Sequence, residues 1–273
     1  MSGRKIMANK IKDIWARGGV AVNVFLTIPS GVATEIMGQA GWDGMTVDMQ
    51  HGAHDYRSAV ECFQAMLRHD VTPMVRVPLN EVSIIGRMLD AGAYGIIVPN
   101  VGSGEEAAGI VSACRYPPGG VRSNGAVRPL IYESSDSYMK RAADDIIVMP
   151  MIETPDGMKN FKTIIRTPGV DAIYIGPNDL GLGMGFGAKM ERDEPAILDF
   201  YRELIAEAND AGIKCGIHVS TVENAKMLIG MGFRLVTFVS EAWHMLQGAR
   251  TTVTTLRPFI DANHKGKFSG GQY

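Results

Sequence analysis

An α/β fold of the (β/α)8 barrel type is what this sequence predicts, from three observations. Short apolar runs alternate with amphipathic segments along nearly the whole chain, the order that gives a parallel sheet covered by helices. Most of those runs are continuous rather than alternating, as strands buried on both faces read. The length of 273 residues is close to the roughly 250 that eight strand–helix units occupy. A doubly wound open sheet, built from the same units, is the second choice.

The strands are expected at Val20 to Ile28, Gly44 to Gln50, Pro73 to Val77, Gly95 to Pro99, Ile146 to Ile152, Ala172 to Ile175, Lys214 to Val219 and Leu235 to Val239. Helices are expected between and after them, near Gly31 to Ala40, Asp55 to Arg68, Glu81 to Ala91, Ser103 to Cys114, Asp156 to Ile165, Pro195 to Ala211, Thr221 to Gly230 and Glu241 to Phe259. Ser103 with Glu106 has the spacing of a capping box, and Gly92 stands where a C-terminal glycine stops a helix. An opening amphipathic helix near Ala8 to Ala16 is expected to cover the bottom of the barrel. Arg115 to Asp145, with Pro117-Pro118-Gly119-Gly120 and no clear strand, reads as a long functional loop. No break in composition divides the chain, so residues 1–273 are expected to form one barrel domain, with the barrel over about 20–240, a C-terminal helix over 241–259 and a flexible tail over 264–273.

Composition narrows the function. Lys and Arg number 27 against 29 acids, with no basic block, which argues against nucleic acid and acidic membranes as partners. No apolar run approaches the roughly 18 residues that span a bilayer, and the N-terminus has no secretory core. Cys62, Cys114 and Cys215 are an odd number without a CxxC pair, the usage of a reduced cytoplasmic protein.

In such a barrel the C-terminal ends of the strands line one mouth. Polar residues collect there: Asp48, His51, Arg76, Asn100, Glu153, Asp179, His218 and Ser220. Glu153 and Asp179, two carboxylates without Cys or His beside them, suit a hard divalent ion, Mg2+ or Mn2+ first and Co2+ or Zn2+ after them. Each could instead cap the helix that follows it. Arg76 in the apolar run MVRVP reads either as an anion or oxyanion contact or as half of an internal salt bridge. Asp48 and His51 have the spacing of an acid–imidazole dyad, though a loop-capping histidine would read alike. The main-chain amides around Asn178 to Leu180 could hold a carboxylate. Lys214 begins its strand, at the wrong end, which speaks against a Schiff base. The glycines from Gly181 to Gly187 give a loop without the GxGxxG fingerprint.

The segments WDGMTVDMQH, MVRVPLN, MLDAGAYGIIVPNV, CRYPPGGVRS, PMIET and DAIYIGPNDLGLGMG resemble, in unbroken order, the HpcH/HpaI aldolase family of metal-dependent pyruvate aldolases. The resemblance implies metal ligation by Glu153 and Asp179, an essential arginine at Arg76, a histidine and partner acid at His51 and Asp48, and an acid from a neighbouring subunit at Asp90. It implies a substrate carboxylate on the amides near Asn178 and Asp179; His218 and Ser220, at the end of the seventh strand, are expected from their position to contact the substrate as well. It further implies a homo-oligomer, commonly a hexamer, in which the helix from Glu241 is exchanged between subunits. The sequence departs from the family pattern at Met151, Gln50 and His218.

The expected reaction is reversible cleavage of a 4-hydroxy-2-oxo acid to pyruvate, or a related 2-oxo acid, and an aldehyde through a metal-bound enolate. The alternatives are an oxaloacetate decarboxylase, a citrate-lyase-like acyl-CoA lyase, and a non-catalytic carboxylate-binding barrel.

Overall fold

The computed structural model describes residues 9–263. Its strands are β1 (Ala21–Leu26), β2 (Gly44–Asp48), β3 (Thr72–Arg76), β4 (Gly95–Val98), β5 (Ile147–Ile152), β6 (Ala172–Ile175), β7 (Lys214–Val219) and β8 (Leu235–Phe238). They pair in parallel in chain order and close, β1 against β8, into a barrel. The helices are α1 (Lys10–Ala16), α2 (Gly31–Gly38), α3 (Tyr56–Met66), α4 (Val82–Ala91), α5 (Gly104–Cys114), α6 (Pro129–Tyr132), α7 (Ser135–Asp145), α8 (Pro155–Ile165), α9 (Pro177–Gly183), α10 (Pro195–Asp210), α11 (Val222–Met231) and α12 (Glu241–Asn263). The (β/α)8 expectation is borne out over the open sheet.

Two apolar layers follow from the strand period of two. Val24, Leu26, Met45, Val47, Val75, Ile96, Val148, Ile152, Ile173, Ile217 and Val236 point outward into the core shared with the helices. Ala21, Phe25, Met74, Ile97, Ile147, Met149, Met151, Ala172, Tyr174 and Leu235 fill the lumen together with Ile11 and Trp15 of α1. The same parity turns Asp48, Arg76 and His218 inward at the far ends of their strands.

The opening helix closes the bottom of the barrel. Asn9 caps α1 and donates to the carbonyls of Tyr94 and Asp145, while the Trp15 indole donates to that of Arg234. Those three residues immediately precede or lead into β4, β5 and β8, at the strand starts. The mouth is therefore left for chemistry.

Three local expectations are corrected. The stretch from Arg115 to Asp145 is not wholly loop, because α6 and α7 lie within it. α7 buries only Tyr138 and Ala142 on an otherwise polar surface, so its helical period is faint in the sequence. The glycine-rich stretch after β6 begins as the helix α9, opened by Pro177 at its first turn with Asp179 close behind; the left-handed backbone starts only at Gly185. The capping box at Ser103 is half formed. Its hydroxyl accepts from Glu106 N at 3.1 Å, but the Glu106 carboxylate takes the N–H of Gly102 instead. Gly92 does stop α4, at φ 109°. Among the described residues no helix is long and apolar enough to cross a membrane. The expected flexible tail lies outside the described residues.

Candidate active site

At the mouth, His51, Arg76, Glu153, Gly176, Pro177, Asn178, Asp179 and His218 line one cleft of about 120 Å³. Residues from β2, β3, β5, β6 and β7, or just beyond them, thus meet in one place, as the strand-end reading requires.

Asp48 and Arg76 are direct cross-strand neighbours in the β2–β3 register, and they pair. Arg76 Nε donates to Asp48 Oδ1 at 2.9 Å and Nη2 to Oδ2 at 2.6 Å, with Asp48 only 2% exposed. Oδ1 also accepts the main-chain N–H groups of Gln50 and His51. Burial acts to raise the Asp48 carboxyl, but the Arg76 fork and charge and the two amides hold it below the ordinary carboxylate range. The internal salt bridge, one of the two readings of Arg76, is therefore present. It does not remove Arg76 from the cleft, because the guanidinium lies 4.5 Å over the Phe25 ring and still lines the wall. The side-chain dyad expected of Asp48 and His51 is not formed. The acid is filled by Arg76 and reaches His51 only through its backbone, leaving the imidazole exposed at the rim.

Glu153 is 3% exposed, and its Oε1 accepts the N–H of Asn100 at 2.9 Å. Asn100 adopts a left-handed φ of 58°, a conformation asparagine tolerates. The capping alternative fails for Glu153, since Thr154 caps α8 through the N–H of Gly157. The second oxygen, Oε2, lies over Gly176, where a Cβ would stand 2.3 Å from it. Only glycine leaves that carboxylate its place. Burial, and then the nearby charge of Asp179, push the Glu153 carboxyl up to about 6, against the opposing pull of the Asn100 amide. Asp179 is exposed in the first turn of α9 and makes no cap there.

Two carboxylates with little compensating positive charge fit a divalent cation that keeps water or substrate oxygens on its remaining positions. Among the described residues no group of three or more His, Cys, Asp or Glu forms a fuller metal cage.

The amides beside Asp179 are partly spent. Leu180 N–H bonds back to the Gly176 carbonyl, which narrows the carboxylate seat to the first-turn N–H groups of Asn178 and Asp179. His218, inward on β7, packs edge-on against Phe25 at 5.0 Å. Burial, then the charge of Arg76, lower its imidazole to about 4, and its Nε2 is buried without a partner. Ser220 does not line the cleft; its hydroxyl donates to Glu191 at 2.8 Å. Asp90 sits near the C-terminal end of α4, toward the bottom of its own barrel, paired at 2.9 Å with the buried Arg122. Phe25 and Gly176 carry site geometry that sequence reasoning did not assign. The inward parity of β1 could have indicated Phe25, and the Gly-Pro step after β6 could have indicated Gly176.

Comparison with known proteins gives a consistent result. The family model HpcH/HpaI aldolase/citrate lyase matches residues 22–246. The hydroxypyruvate/pyruvate aldolase of Rhizorhabdus wittichii is 30% identical over 249 residues, 91% of this chain and 99% of that protein. The 5-keto-4-deoxy-D-glucarate aldolase of Salmonella arizonae is 30% identical over 253 residues, 92% and 98% of the two chains. A crystal structure of an HpcH/HpaI aldolase/citrate lyase family protein from Burkholderia cenocepacia superposes with a TM-score of 0.82 at 27% identity, covering 88% of this chain and 95% of the other. The aldolase reading of the sequence is borne out, and with the barrel and its acidic mouth already in view, the chain belongs to the HpcH/HpaI aldolase/citrate lyase family.

Proposed function

We propose that the protein is a divalent-metal-dependent aldolase that reversibly cleaves a 4-hydroxy-2-oxo acid into pyruvate, or a related 2-oxo acid, and an aldehyde. The observation that carries this reading is the meeting of Glu153 and Asp179 with Arg76 in one cleft that, among the described residues, has no lysine on its wall. Glu153 and Asp179 would hold the ion, Mg2+ or Mn2+ by donor type. When bound, the ion supplies Lewis-acid polarisation of the keto group.

The chain's own residues do the rest. The N–H groups of Asn178 and Asp179 receive the substrate carboxylate. Arg76 adds positive charge beside the oxyanion that develops at C2, an effect worth about 3–4 kcal/mol where such a donor is preorganised. Asp48 preorganises it, since a two-point grip on the guanidinium leaves that charge little freedom to turn away. His51, exposed at the rim, takes the 4-hydroxyl proton in cleavage and returns it in condensation. His218 presents an uncharged ring to the part of the substrate beyond the 2-oxo acid group. α12 leaves Trp243, Met245, Leu246, Val253 and Leu256 exposed, which supports a homo-oligomer, hexameric by family resemblance, in which this helix is covered by a neighbour and Asp90 serves the adjoining site. Three free, buried cysteines support a reducing, cytoplasmic setting.

The test is incubation with pyruvate in D2O, each of several divalent metals in turn, and a panel of aldehydes, with methyl exchange followed by NMR and products identified. Metal-dependent exchange and a 4-hydroxy-2-oxo acid product are expected. Turnover insensitive to EDTA, or no exchange with any metal, would overturn the reading.

A further inference from the structure

Arg192 stands in the connection between α9 and α10, outside the cleft lining, and is only 3% exposed. A guanidinium that deep is costly unless its N–H groups find acceptors. Here Nε donates to the carbonyl of Pro177 at 3.0 Å, Nη2 to those of Gly187 at 2.6 Å and Asn178 at 3.4 Å, and Nη1 to Glu194 Oε1 at 3.1 Å. Gly181 admits it, because a Cβ at that position would lie 1.8 Å from Nη2.

The carbonyls it holds are informative. Pro177 O belongs to the peptide whose N–H is that of Asn178, and Asn178 O to the peptide whose N–H is that of Asp179. A peptide group is planar with its C=O and N–H on opposite edges. Gripping both carbonyls from behind therefore fixes both peptides that flank Asn178, and with them the direction in which Asp179 leaves the chain. α9 is a helix of seven residues, too short to fix its own start by propagation. The same guanidinium also ties the Gly187 turn to the back of this helix.

We propose that Arg192 is a positioning residue, a buried strap that holds the Pro177–Asp179 wall of the cleft and so sets the Asp179 carboxylate opposite Glu153. This rests on the reading of Glu153 and Asp179 as metal ligands. Arg192 touches neither substrate nor metal. Its fork matters as well as its charge, since a lysine cannot reach Pro177 O, Gly187 O and Glu194 together.

The experiment titrates Mn2+ into the full chain, following free Mn2+ by EPR, for the wild type, Arg192→Met and Arg192→Lys. Thermal unfolding in EDTA and the KM and kcat for pyruvate methyl exchange are measured alongside. Loss of a residue that orients a ligand weakens metal binding by about 10–100-fold, and that rise in Kd is expected for Arg192→Met, with a smaller rise for Arg192→Lys. Leu228→Ala, which opens the buried face of α11 away from the cleft, should lower the melting temperature without moving the Mn2+ Kd. Wild-type Mn2+ affinity in folded Arg192→Met overturns the proposal whatever its melting temperature. If Arg192→Met does not fold, Arg192→Lys decides by the same criterion. A wild type that binds no Mn2+ overturns the metal reading itself and the strap with it, and is recognised because it shows in the unsubstituted chain.

Discussion

Replacing Glu153 by glutamine should stabilise the metal-free protein while destroying its metal dependence. The carboxyl is 3% exposed and is raised from its ordinary 4.5 to about 6, so its ionised form costs the fold about 2 kcal/mol at neutral pH. The sign follows from linkage. A carboxyl raised by folding contributes stability that is complete below about pH 4.5 and is lost as pH climbs through about 6. Glutamine keeps an oxygen for the Asn100 N–H, has no charge to desolvate, and does not titrate. Other groups titrate alike in both proteins and cancel in the difference. Urea unfolding in EDTA should therefore show Glu153→Gln ahead by about 1–2 kcal/mol at pH 7.5 and the gap shrinking toward pH 5. Added Mn2+ should reverse the order, because it stabilises only the protein that binds it. A Glu153→Gln protein no more stable than wild type at pH 7.5, or a gap that ignores pH, would refute the account of Glu153 as a strained buried acid awaiting a cation.

Two further outcomes are expected. Arg76→Met should cost about 3–5 kcal/mol in urea unfolding, because it strands the buried Asp48 charge, and should abolish pyruvate methyl exchange. Adding Asp48→Leu should return much of the stability and none of the exchange, and an Arg76→Met protein as stable as wild type would contradict the pairing. For His218→Leu, the imidazole lowered to about 4 is already uncharged at neutral pH, so pyruvate exchange should stay within about threefold and its pH profile should not move. Aldehyde preference should shift about tenfold toward apolar acceptors in competition assays, and loss of exchange instead would make His218 part of the proton transfer.

The barrel was legible because a strand covered on both faces reads as a nearly continuous apolar run, and eight such runs separated by helices leave few architectures. The strand-end rule then found Glu153, Asp179, Arg76 and His218 without any knowledge of contacts. Pairing was harder. Whether Arg76 faces a substrate or an acid depends on the register that sets it beside Asp48, and register is a relation between strands that neither sequence run contains. α9 was missed because two of its seven residues are glycines, which lower helical propensity although Pro177 and the Arg192 grip fix its start. Arg192 itself gave no signal at all. It lies in a polar stretch, KMERDE, that reads as solvated surface, and only the fold brings the carbonyls it binds around it.

The Asp48–Arg76 pair also decides what the rest of the cleft can hold. A free guanidinium at that wall would offer its charge to Glu153 and Asp179, and the site could rest without a metal. Asp48 engages that guanidinium through two hydrogen bonds, and the pull of Arg76 on Glu153 is weaker than burial, than the Asn100 amide and than the opposing charge of Asp179. Glu153 consequently stays raised rather than depressed. Among the described residues the two acids share their cleft with one arginine and no lysine, and no group of three or more His, Cys, Asp or Glu forms a fuller cage. A small dication satisfies that arrangement and still leaves positions open for a 2-oxo acid, whereas a monocation or a buried water would leave one carboxylate uncompensated. The salt bridge that first looks like a purely structural reading of Arg76 thus engages the guanidinium with Asp48, which is what the proposed metal role of Glu153 and Asp179 requires.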